Sequence, residues 1–148
     1  MAIPEIIPIA RMEDYHTDLV GRCEDGRQFF IYEPFVFPNE EINEDWTKVR
    51  REYLVLYLFD PEGNFIEIKH WSGGTTAELN HQEKQKKKDE FLTSLGKFEL
   101  CDISVKLFQT TIDGVVFGLV PSEKNEAVDL QPSSTIQFTE PWDGEYYT

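Results

Sequence analysis

A histidine flanked by carboxylates can move protons or help hold a metal near neutral pH, and the chain first presents that combination at Asp14-Tyr15-His16-Thr17-Asp18. In an extended segment the period of two places Asp14, His16 and Asp18 on one face. The ordinary role of such a row is a solvated strand face, and a metal would need further ligands that the sequence does not identify. His70 is the second candidate. Alternation groups it with Ile66 and Ile68 while Trp71 faces the other way, which predicts either a buried, hydrogen-bonded histidine or a catalytic one with a partner nearby. Ser72 lies close, but the chain contains neither G-x-S-x-G nor a Cys-His motif. An enzyme built here would therefore use His16 or His70, with Asp14 and Asp18 the nearby carboxylates, on a small substrate.

Anion chemistry is the next possibility, at "HWSGGTTAE", residues 70 to 78. A glycine pair ahead of a helix can cradle phosphate, yet the G-x-x-x-x-G-K-[ST] and G-x-G-x-x-G spacings are both missing. Thr75-Thr76-Ala77-Glu78 instead has the spacing of a capping box, with Thr75 as N-cap and the Glu78 carboxylate bonding back to it. That carboxylate would fill the place of an anion, so the stretch is expected to turn a corner. Cys23 and Cys101 form no metal or redox motif and read as small core residues. No cofactor or metal site is expected.

Recognition of another protein is the remaining chemistry. "PNEEINEDW" and the terminal "EPWDGEYYT" combine carboxylates with large aromatics. Trp46, Trp142 and Tyr146 could anchor an interface, while Glu40, Glu41, Glu44 and Asp45 guide a basic partner to it. The same aromatics could equally cover an open sheet. The charge distribution agrees with an acidic surface, since the net charge is −14 over 148 residues. Residues 1–47 carry 3 basic and 11 acidic side chains, residues 98–148 carry 2 and 9, and the middle is nearly balanced. Such a field repels nucleic acid, whose binding depends on cations that displace phosphate counterions.

The elements that position these groups follow from turn chemistry and periodicity. Glu24-Asp25-Gly26, Asp60-Pro61-Glu62-Gly63 and Asp113-Gly114 each separate strand-like runs, and they predict three hairpins and a mainly antiparallel sheet. The seven residues Tyr53 to Phe59 are all apolar, which predicts a central strand covered on both faces. Seven is far short of the roughly 18 apolar residues of a membrane span. Pro34 removes a ladder donor and marks a bend or an edge. One principal helix is predicted over about 76–95, between the second and third hairpins. Its apolar positions Leu79, Phe91, Leu92 and Leu95 cluster at the ends, and Lys84, Lys86, Lys87 and Lys88 between them read as a solvated face. From about residue 123 the chain is expected to be loop-rich, with one strand near 135–139. The reading is α+β, one domain over 1–148. The N-terminus lacks the basic and apolar regions of a signal peptide, so a cytoplasmic location is expected.

The phrases "GRCEDGRQFF", "LFDPEGNF", "TIDGVVFGL" and "PWDGEYYT" resemble a group of small bacterial proteins, some labelled formate hydrogenlyase regulatory protein. The resemblance runs over most of the chain but rests on turns and strands, so it transfers no functional residue. It implies a regulatory role exercised by binding another protein, because a direct DNA reader would need a basic recognition helix. The expected function is thus a non-catalytic acidic protein that binds a basic protein, as a regulator or an immunity-type inhibitor.

Overall fold

Burial on both faces of one strand organises the molecule. The computed structural model describes residues 3–13, 15–37, 45–122, 126–132 and 136–146. In chain order it contains β1 (Ile6–Ile9), β2 (Val20–Cys23), β3 (Gln28–Tyr32), β4 (Phe35–Val36), a 3-10 turn (Trp46–Lys48), β5 (Arg51–Phe59), β6 (Phe65–Thr75), α1 (His81–Ser94), β7 (Phe98–Leu100), β8 (Ile103–Lys106), β9 (Phe108–Ile112), β10 (Val115–Ser122), β11 (Ala127–Gln131) and β12 (Gln137–Phe138). The fold is α+β, and the described strand pairings are antiparallel. No helix among the described residues is long and apolar enough to cross a membrane.

Strand β5 explains the layering. Its residues Tyr53, Val55, Tyr57 and Phe59 join the larger core, to which β1, β8 and β9 to β12 also contribute. On the opposite face Leu54, Leu56 and Leu58 pack with Cys23, Phe29 and Ile31 and with Phe91 and Leu95 at the end of the helical segment. A strand with two buried faces has no polar side to show, which is why its sequence does not alternate. In the larger core, Phe108 meets Tyr57, Phe59 and Phe65 at ring-centroid distances of 4.8, 5.0 and 4.9 Å.

The strands form three sheets, where the turn signals predicted one sheet made from three hairpins. The largest sheet has six strands, β5 among them: β3 and β4 lie along one side of β5, β6 along the other, and β2 and then β7 extend the sheet beyond β3. The break at Pro34 separates β3 from β4, and the Pro34 carbonyl accepts from the Tyr53 amide at 3.0 Å. Strands β9 to β12 make a four-stranded meander, and β1 pairs with β8. The Asp113-Gly114 turn has φ of 52° and 78° at its two residues, the backbone that a two-residue hairpin of native twist requires. Where the sequence suggested loops after 123 with one strand near 135–139, the described residues there include two strands, β11 and β12, with Ala127, Val128 and Leu130 of β11 buried in the meander.

The helix starts later than the capping-box spacing predicts. Thr75 is still the last residue of β6, paired with Arg51, and the amides of Thr76 and Ala77 donate to the carbonyls of Arg50 and Thr47. The Glu78 and Leu79 amides then donate only three residues back, to Thr75 and Thr76, and the extended backbone of Asn80 (φ −99°, ψ 107°) stops that turn from continuing as a helix. The Glu78 carboxylate does accept from the Thr75 hydroxyl at 2.8 Å and from its amide at 3.3 Å, but this closes a turn ahead of the helix. Asn80 is the actual N-cap, its side chain accepting from the Glu83 amide at 3.0 Å.

Candidate functional site

Among the described residues, no reactive centre is assembled around His16 or His70. Residues 15–19 form turns and bends, so the period-two row of carboxylate, histidine and carboxylate does not exist as a strand face; Asp14 lies outside the described residues. His16 is exposed with its ring edge-on to Tyr32 at 6.2 Å, and Asp18 is half-buried with its backbone carbonyl accepting from Arg11 Nε. His70 is exposed as well, where a buried or a catalytic histidine was the expectation. It sits opposite Val55 on β6, the strand at the sheet's edge, where the larger core no longer covers that face. No cluster of His, Cys, Asp and Glu able to hold a metal occurs among the described residues.

Two surface hollows are formed by described residues away from both histidines. One of about 410 Å³, between β2 and β7, is lined by Arg22, Cys23, Glu24, Lys97, Phe98 and Glu99. Burial pushes the Cys23 thiol up, with Arg27 only partly opposing it, so this cysteine carries little thiolate at neutral pH. Another hollow of about 290 Å³ gathers Glu140, Asp143 and Glu145 over Met12 and Tyr146. Neither contains a histidine.

Of the predicted protein anchors, Trp46 stands apart. It is 46% exposed, whereas Tyr146 is a core residue. Tyr146 packs edge-on to Phe138 at 5.6 Å, and its hydroxyl accepts from the buried Thr17 amide at 3.2 Å. The Thr17 hydroxyl donates to the Ala10 carbonyl, which leaves the Tyr146 hydroxyl to donate to Thr17 Oγ1 at 3.1 Å. Trp142 is half-buried against the larger core. Tyr146 is thus part of the core, and Trp142 packs against it.

Around Trp46 the chain builds an ordered aromatic surface. The Arg50 guanidinium lies 4.4 Å from the Phe35 ring centroid and 4.7 Å from that of Trp46, so it is held between two π faces. Phe37 meets Phe35 edge-on at 5.8 Å and is 43% exposed. What fixes Arg50 is a nearly buried carboxylate: Glu52 Oε1 accepts from Arg50 Nη2 at 2.6 Å, and the Thr76 hydroxyl lies 3.0 Å from the same oxygen and 3.1 Å from Arg50 Nε. Glu52 is only 7% exposed, and a carboxylate so placed needs this compensation. Asp45 caps the 3-10 turn that carries Trp46, accepting from the Thr47 amide and hydroxyl. The Thr47 hydroxyl, more than any other group, holds the Asp45 carboxyl below its ordinary range. Glu40, Glu41 and Glu44 lie outside the described residues, but in the chain they fall between Phe37 and Asp45.

Sequence reasoning found Trp46 and Asp45 and missed Phe35, Phe37, Arg50, Glu52 and Thr76. The signal available was the period of two in Phe35-x-Phe37 and Arg50-x-Glu52, which puts each pair on one strand face. Nothing local, however, tells that β4 pairs with the start of β5. Comparison with protein-family models, with curated proteins and with solved structures found no match to this chain.

Proposed function

We propose that this is a non-catalytic, acidic cytoplasmic protein whose Phe35, Phe37 and Trp46 surface binds a basic protein, in a regulatory or inhibitory role. The observation that carries the reading is the exposure of Phe37 and Trp46 on a surface already ordered by Arg50, with the acidic segment 38–45 joining them in sequence. Rigid aromatics lose little side-chain freedom on binding and are common interface anchors, while nearby carboxylates favour a cationic partner. The resemblance of its turn and strand phrases to small bacterial proteins, some of them labelled formate hydrogenlyase regulatory protein, would imply the same kind of role, regulation through protein contact. An enzymatic reading has less support, since both histidine candidates are exposed and no reactive partner is assembled beside either among the described residues.

The test is capture from host lysate by the immobilised wild type, with Trp46→Ala and Phe37→Ala as comparison baits. A basic protein retained by the wild type, released as salt rises and lost from both variants, is the expected result. Recovery of nucleic acid, or of a partner that both variants hold equally well, would overturn the assignment.

A further inference from the structure

The six-stranded sheet ends on two edges of very different character. At one end β7 has only three residues, and pairing with its own copy about Glu99 would set one Glu99 against the other. Short strands with like charges at the centre are poor templates for association. The other end is β6, eleven residues long, with no strand on its outer side among the described residues and Ile66 51% exposed. Its register against β5 shifts between Leu58 and Phe59, which makes Ile66 the extra residue of a bulge and leaves residues 67–72 regularly paired. Within that regular stretch lie Glu67, exposed, and Lys69, half-buried. Neither has an ion-pair partner among the described residues.

We infer that β6 is a homodimerisation edge, where two copies of the chain pair antiparallel about Ile68 and place Glu67 of each opposite Lys69 of the other. Symmetry and charge select this register. A two-fold axis normal to the sheet keeps each residue on its own face, so only registers centred on a residue are allowed. Centring on Glu67 opposes the two glutamates, and centring on Lys69 opposes the two lysines. Centring on His70 leaves both charges without an opposite partner. Centring on Ile68 instead creates two cross-strand ion pairs on the helix-facing side, and it brings the two Ile68 side chains together and Ile66 against His70 on the other. A lone edge lysine is a common device against association; here Glu67 complements it. The pairing is centred on Ile68, whereas the aromatic surface lies by β4 and the start of β5 and reaches β6 only at its far end, through the adjoining Thr76.

Sedimentation equilibrium and light scattering at physiological ionic strength test the inference, using the wild type, Glu67→Lys, Lys69→Glu and the combined exchange, with circular dichroism to verify folding. The wild type should dimerise in the micromolar range, and each single variant should weaken the dimer by about tenfold or more, since both pairs become repulsive. The combined exchange should restore dimerisation, and an equimolar mixture of the two single variants should form heterodimers. A wild type monomeric at millimolar concentration, or a dimer indifferent to both reversals, overturns the inference. Either result leaves the aromatic surface and its binding test untouched.

Discussion

Two buried tyrosines show how environment decides what a side chain contributes. The Tyr57 hydroxyl is buried with no hydrogen-bond partner among the described residues, and burial drives its ionisation well above the ordinary range. The Tyr146 hydroxyl, by contrast, satisfies the buried Thr17 amide. An unsatisfied buried hydroxyl costs desolvation that nothing offsets, whereas removing a used one strands its partner. Tyr57→Phe should therefore leave stability unchanged or raise it by up to about 1 kcal/mol, and Tyr146→Phe should lower it by roughly 1 to 3 kcal/mol. Urea unfolding of both variants checks the contrast, and equal effects would contradict it. Sequence could not separate these residues. Tyr57 was legible as core because Tyr53 to Phe59 are all apolar, but Tyr146 sits among polar residues in "DGEYYT", and its burial depends on Thr17 and Phe138, which are distant in the chain.

For the elements, what local chemistry controls was readable and what depends on pairing was not. Gly63 and Gly114 mark their turns because positive φ is needed there. The helix start was misplaced because strand pairing with Arg51 overrode a good capping spacing, and the pairing of β1 with β8 leaves no local trace. The lysine face of α1 is likewise more than solvated: Lys84 and Lys88 reach Glu33, beyond β3, at 2.7 and 2.8 Å. Partial burial opposes ionisation of Glu33, but the hydrogen bonds and charges of the two lysines outweigh it and depress its pKa below the ordinary 4.5. A depressed carboxylate stabilises the fold fully above the ordinary value, because both states are then ionised. As pH falls below 4.5 the unfolded chain takes the proton first, and the contribution vanishes once pH passes the folded pKa. Glu33→Gln should thus cost about 1 kcal/mol or less at pH 7, given the exposure of the cluster, and the gap from wild type should close in acid. Unfolding free energies of the two proteins across that range provide the check; a gap that widens in acid would show that the lysines do not hold Glu33 ionised.

Across the whole molecule, charge and aromatic anchors are expected to act on different stages of binding. The net charge of −14 is concentrated toward the chain's two ends, and in the sequence residues 38–45, with four carboxylates, run between the exposed Phe37 and Trp46. Long-range attraction governs encounter and is screened within about 8 Å at physiological salt, whereas buried aromatic contact governs how long a complex lasts. Replacing Glu40, Glu41, Glu44 and Asp45 by their amides should therefore slow association with the basic partner and flatten its salt dependence, with little change in dissociation. Asp45→Asn keeps a capping oxygen, so the 3-10 turn under Trp46 should survive. Trp46→Ala should do the reverse, speeding dissociation while the association rate and its salt dependence hold. Trp142→Ala, removing a half-buried group from the core, should lower stability before it affects either rate. Surface plasmon resonance at several salt concentrations separates these outcomes: if the amide variant dissociates faster while associating normally, its carboxylates make direct contacts and do not steer the partner.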